Sequence, residues 1–152
     1  MPYVETAIDI AAPARAIYEL AKDMERYPEF MPDVETVKVL KREGNSTTTR
    51  WKTLVEEAPI EWTEVDVFDD EHTRIDYRLI EGDLDKFEGA WTFEDNGDGT
   101  TRVFLTVEYD FGVPTLAELI GPTLQRKVQE NSEMMLAGLK REAESKVREI
   151  AS

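Results

Sequence analysis

The residues in this chain best placed to do chemistry are two acids, Glu64 and Asp66, on one run of alternating residues. Residues two apart on a strand share a face, about 6.5–7 Å from each other. Trp62 and Phe68 stand on that face, while Val65 and Val67 share the other with Glu61, Thr63 and Asp69. Periodicity alone does not decide which face is inside. With Trp62's face inside, two carboxyls enter a partly apolar space, and at least one must hold its proton above the usual range. Such a pair suits acid–base work. With that face outside, the acids are simply solvated, which is the simpler reading of the residues alone. Arg78 is the natural cation to neutralise them or to orient a ligand oxygen. Its neighbours Ile75, Tyr77 and Leu79 hold the opposite parity and suit the inside better, so either a bulge turns Arg78 inward or it is exposed in a structural ion pair. Asn131 interrupts an apolar helical stripe. If buried it must be hydrogen-bonded, to a ligand oxygen or to strand backbone.

Other chemistries are thinly supplied. His72 is the single histidine and falls in the turn Asp70-Glu71-His72-Thr73, where solvation is expected. There is no cysteine, which removes disulfides, thiolate nucleophiles and the usual zinc sites. Asp95-Asn96-Gly97-Asp98-Gly99 lacks the spacing and terminal glutamate of a calcium loop and reads as a hairpin turn. No phosphate-binding glycine loop or nucleophile elbow is present. No metal or cofactor is expected. The 33 acidic residues against 18 basic give a net charge of −15. That field repels nucleic acid and anionic membrane surfaces alike. No run approaches the roughly 18 apolar residues of a spanning helix, and the N-terminus MPYVETAIDI has no signal-peptide pattern. The expectation is a cytoplasmic protein with no nucleic-acid partner and no stable membrane insertion.

The elements that must position these residues follow from hydrophobic period. Residues 3–10 alternate as a strand, with Val4, Thr6, Ile8 and Ile10 on one face. Pro13 opens a helix whose apolar stripe is Ile17, Leu20, Ala21 and Met24. Pro28 disfavours helical geometry in Tyr27 and should end it there. A short apolar turn, Tyr27-Pro28-Glu29-Phe30-Met31-Pro32, follows. Period two then predicts strands at 34–42, 47–56, 60–69, 73–80, 86–95 and 101–111, with turns at Gly44-Asn45, Ala58-Pro59, Asp69–Glu71 and Asn96–Gly99. Gly89 in mid-strand marks a bulge or a close approach. Gly121-Pro122 looks like the start of a long helix of about 29 residues and roughly 40 Å. Its stripe is Leu124, Val128, Asn131, Met135 and Leu139, extended by Ala143, Val147 and Ile150. One helix cannot cover seven strands flatly, so the sheet must curl around it and leave space beneath.

This β-α-α-β6-α order resembles the START-like helix-grip (SRPBCC) superfamily, an α+β fold, and within it the polyketide cyclase/dehydrase group with its aromatase/cyclase and coenzyme Q-binding relatives. The likeness rests on Ile10-Ala11-Ala12-Pro13, Tyr27–Pro32 with Val34-Glu35, Glu61-Trp62-Thr63-Glu64, Glu81-Gly82-Asp83, Phe87-Glu88-Gly89-Ala90-Trp91 and Tyr109-Asp110-Phe111, and runs nearly end to end. It implies a single domain over residues 1–152 with a cavity between sheet and C-terminal helix. It implies that Trp62, Phe87, Trp91, Leu105 and Met135 line that cavity, each being otherwise an ordinary core residue, and it favours Trp62's face as the inner one. It sets Arg78 at a position where similar cyclases carry a basic cavity residue. The entrance is expected among Tyr27–Pro32, including Tyr27 and Met31, the loop after Phe111 and the long helix. The resulting expectation is a non-catalytic binder of a small lipophilic molecule: a lipid, quinone, isoprenoid or aromatic polyketide. A polyketide aromatase/cyclase and a protein-interaction module are the alternatives. A dimer is left open.

Overall fold

The computed structural model describes residues 3–55, 58–110 and 114–151. Seven strands form one antiparallel sheet: β1 Tyr3–Ile10, β2 Val34–Glu43, β3 Ser46–Val55, β4 Ala58–Asp69, β5 Arg74–Gly82, β6 Lys86–Asp95 and β7 Thr101–Asp110. Their spatial order is β1-β7-β6-β5-β4-β3-β2. Six strands therefore make a meander, and β1 joins its far end, with Tyr3 opposite Glu108 and Ile10 opposite Thr101. Two helices, α1 Ala14–Lys22 and α2 Tyr27–Phe30, carry the chain from β1 to β2, and α3 Pro114–Ala151 covers the sheet. This is the α+β helix-grip arrangement that the resemblance implies, built from the elements that the hydrophobic periods predict. No helix among the described residues is long and apolar enough to cross a membrane.

Three expected boundaries move, each for a backbone reason. Pro28 does not end a helix; α1 stops at Lys22, a 3-10 turn spans Met24–Arg26, and Pro28 sits in the first turn of α2. A proline there loses no helical hydrogen bond. Tyr27 adopts helical angles despite preceding it, held by its hydroxyl donating to the Ala21 carbonyl. Ala58-Pro59 is strand, not turn: Pro59 pairs with Leu54, whose N–H instead donates to the Asp33 carbonyl at 2.8 Å. In a pair of that kind neither residue bonds its partner, so the missing proline N–H costs the ladder nothing. Finally, α3 begins seven residues before Gly121-Pro122 and spans 38 residues, about 57 Å at ~1.5 Å per residue. Pro122 lies within it and is exposed, where water can meet the carbonyl it leaves without a donor. Phe111, expected to end β7, lies outside the described residues, as do the side chains of Leu124 and Ile150.

The C-terminal half of α3 is anchored closely. Leu136, Leu139 and Ala143 are buried in the core. Lys140 donates to the Asp9 carbonyl at 2.9 Å, Glu144 accepts the Ala11 N–H at 2.9 Å, and Arg26 pairs with Glu142 at 3.1 Å. Gly138 is where α2 crosses α3: a Cβ there would stand 2.2 Å from the Phe30 carbonyl oxygen. At the other side of the molecule, Tyr18 and Lys22 of α1 both reach the Asp70 carboxylate, at 2.7 and 2.8 Å, and tie the β4–β5 turn to the helix.

Candidate functional site

Between the sheet's inner face and α3 lies a cavity of about 180 Å³. An apolar void of about 150 Å³ is enough to hold a benzene ring. Its walls are mostly apolar, with a cluster of aromatic rings on the sheet side. Trp51 and Trp62 are cross-strand partners stacked at 5.6 Å, with ring planes 7° apart. Phe87 meets Trp62 edge-on at 5.0 Å and Tyr77 at 5.6 Å. Trp91, Leu105, Val107 and Tyr109 continue the wall, and Val128, Asn131, Ser132 and Met135 close it from α3.

Gly89 shapes this wall by absence. It pairs with Tyr77 on one side and Val107 on the other. A Cβ there would come within 1.9 Å of the Thr106 carbonyl oxygen and 2.8 Å of the Tyr77 hydroxyl. The tyrosine uses that space to donate to the same carbonyl at 2.5 Å. The close approach, not a bulge, explains the glycine. In β5 a bulge lies elsewhere: Thr63 pairs with Glu81 and Glu64 with Leu79, leaving Ile80 over.

Trp62's face of β4 is the inner one. Glu64 and Asp66 are buried, at 3% and 0% exposure, while Val67 is exposed. The solvated reading suggested by the residues alone is therefore corrected. What makes the burial tolerable is the neighbouring strand. Thr47 and Thr49 donate to Asp66 Oδ2 at 3.2 and 2.6 Å, and Trp62 Nε1 donates to Glu64 Oε1 at 2.7 Å. Among the described residues no donor reaches Asp66 Oδ1. Burial, then the negative charge of Asp66, pushes the Glu64 carboxyl well above its usual range. Asp66 is raised by burial too, an effect opposed by hydrogen bonds from Glu64, Thr49 and Thr47. The pair is one acid and one carboxylate sharing a proton.

Of the residues expected to line the cavity, Trp62, Glu64, Phe87, Trp91, Leu105, Asn131 and Met135 do so. Four do not. Arg78 is exposed on the outer face, because the bulge falls two residues beyond it and leaves Tyr77 pointing inward. Asp66 stands behind Glu64. Tyr27 and Met31 are fully buried, Tyr27 packing on Trp51 at 5.5 Å and Trp91 at 6.1 Å. Neither Tyr27 nor Met31 lines the cavity. The loop after Phe111, the other expected rim, begins outside the described residues. His72 is exposed in its turn, 2.8 Å from Asp69. Sequence reasoning turned Tyr77 inward without assigning it to the cavity and passed over Trp51, Ser132 and Lys127, all cavity residues, and the two threonines. Alternation along 47–53 puts Thr47, Thr49, Trp51 and Thr53 on one face, and hairpin register would have set that face beside Trp62.

The family described as polyketide cyclase/dehydrase and lipid transport matches residues 10–136. A putative polyketide cyclase of Streptomyces cyaneus is 31% identical over 101 residues, 64% of this chain. The alignment spans 66% of that protein's length. A crystal structure of a protein from Thermus thermophilus is 35% identical, with a TM-score of 0.90 over 95% of this chain and 98% of that one. The Zhui aromatase/cyclase of Streptomyces sp. R1128, 23% identical, superposes with a TM-score of 0.87 over 95% and 94% of the two chains. At that identity the likeness is one of fold.

Proposed function

The chain belongs to the polyketide cyclase/dehydrase and lipid transport family, and from that premise we propose that it binds a small lipophilic molecule, without transforming it, in the cavity between sheet and α3. The observation that carries this reading is the aromatic wall around about 180 Å³ of space. That space suits one ring with a short chain better than an extended polyketide. A ligand burying about 200 Å² of apolar surface gains about 5 kcal/mol, so burial alone supports a Kd of about 0.2 mM before ordering costs. The remaining affinity must come from polar contacts. All three tryptophans of the chain line the cavity, so their fluorescence reports its occupancy. Titrating purified protein with small aromatic lipophiles should give saturable quenching, and the same compounds should be recovered by solvent extraction and mass spectrometry. A panel of such compounds producing neither signal would refute the proposal.

A cyclase reading is favoured by one feature, the proton held on Glu64 at the cavity wall. An acid whose pKa burial raises well above its usual range can turn its proton toward a substrate oxygen. On that reading Glu64→Gln retains binding and abolishes turnover of a poly-β-ketone; on the binding reading no turnover exists to lose.

A further inference from the structure

The polar end of the cavity is out of balance in charge and in donors. Three donors converge on Asp66: the hydroxyls of Thr47 and Thr49 and the proton on Glu64. These three hydrogen bonds favour the anion and oppose the rise that burial imposes on Asp66. The indole N–H of Trp62 is taken by Glu64. The donors of Thr47, Thr49 and Trp62 are thus consumed internally, and around Glu64 the wall offers a ligand acceptor capacity and negative potential.

Nor does the protein supply a counter-ion. Among the described residues no lysine or arginine pairs with Glu64 or Asp66. Lys127 on α3 lines the cavity but lies 3.7 Å from Glu130. Tyr77 of β5 and Tyr27 of α2, within reach of the pair's charge, are pushed well above the usual tyrosine range by burial and by the two carboxyls, and carry no positive charge to offset them. Buried charges are ordinarily paired; this one stands beyond Glu64, which lines the cavity with Trp51, Trp62, Phe87, Tyr77 and Trp91. Aromatic faces attract cations, more so when water is excluded.

Resting on the reading of this cavity as a ligand site, we propose that it selects lipophilic monocations, an ammonium carried on a small aromatic body, with the ammonium against Glu64 and the ring among the tryptophans. The uncompensated carboxylate acts through space and the aromatic faces complete the cage. The overall charge of −15 raises the local concentration of such ligands and repels anionic ones.

The test compares 2-phenylethylamine with 2-phenylethanol, which match in shape and differ in charge, by tryptophan fluorescence and calorimetry at pH 7. The amine should bind at least tenfold more tightly. Two variants separate charge from hydrogen bonding. In Glu64→Gln the amide donates to Asp66 and accepts from Trp62, the anion survives, and the preference should persist. In Glu64→Gln combined with Asp66→Asn the charge is gone, and the preference should vanish while the alcohol binds as before. If the double variant does not fold, the wild-type comparison still decides. Equal affinities in the wild type, or tighter binding of the alcohol, overturn the proposal and leave a site for neutral lipophiles. Binding of neither compound overturns the ligand-site reading with it.

Discussion

Asp33 should make the protein less stable at neutral pH than at pH 4, and Asp33→Asn should remove that loss. The residue closes the connection from α2 to β2 at 4% exposure. Its carbonyl takes the Leu54 N–H, but among the described residues no other residue donates to either carboxyl oxygen, and its own backbone N–H opposes the effect of burial only in part. Burial pushes the carboxyl from 3.8 up to about 6. Between those two values the folded chain keeps a proton that the unfolded chain has released. Stability is therefore highest below pH 3.8, falls as pH rises to about 6, and is level above that. A shift of about 2 units corresponds to up to about 3 kcal/mol, less whatever water screens. Asparagine matches the protonated acid in shape and cannot ionise. Urea unfolding at pH 4 and 7.5 should find the variant level with the parent at pH 4 and up to about 3 kcal/mol more stable at pH 7.5, with unchanged m-values. The Glu64–Asp66 pair titrates in both proteins and cancels in the comparison. Parallel stability curves for parent and variant across that range would refute the reasoning.

Three other outcomes follow from contacts described above. Gly138→Ala drives a methyl against the Phe30 carbonyl and should cost about 1–3 kcal/mol, seen as a lowered urea midpoint; an unchanged midpoint means α2 moves away freely. Thr49→Val removes the 2.6 Å donor to Asp66 and the acceptor that Trp51 Nε1 uses at 2.8 Å. It should cost about 1–3 kcal/mol and raise the Asp66 pKa further, measurable by carboxyl titration in NMR. Arg78→Ala, on the outer face, should stay within about 0.5 kcal/mol of the parent and leave ligand quenching unaltered; weakened quenching would return Arg78 to the cavity.

The fold was legible because it is written in local period. Alternation such as Phe87, Gly89, Trp91 and Phe93, and helical spacing such as Val128, Met135 and Leu139, need no partner to be read. Most of the aromatic wall came with it, since those side chains sit at fixed parity on strands. The inward acids were not legible from β4 alone. Alternation there gives Trp62, Glu64, Asp66 and Phe68 on one face and two valines on the other, and burying carboxylates is costly. What reverses the expectation is hydroxyl donation from Thr47 and Thr49, which depends on the register of a different strand. Arg78 failed for the same kind of reason: a bulge occurs in β5, but its place is set by pairing across to Thr63 and Glu64. Pro28, Pro59 and Pro122 were read as boundaries because a proline's cost depends on where its missing N–H would have pointed, which only neighbouring backbone reveals.

The position of β1 beside β7 also bears on how the chain reaches this structure. The pairing of Tyr3 with Glu108 joins residues about a hundred positions apart, and closing such a loop from an open chain costs about 4 kcal/mol of entropy. The meander from β2 to β7 closes by short hairpins and can form first; once it exists, only the segment between Ile10 and Val34 still has to be spanned. That order makes docking of β1 a late event, after the rate-limiting barrier. Truncations in β1 such as Ile8→Val should accordingly speed unfolding in stopped-flow experiments and leave the refolding rate nearly unchanged.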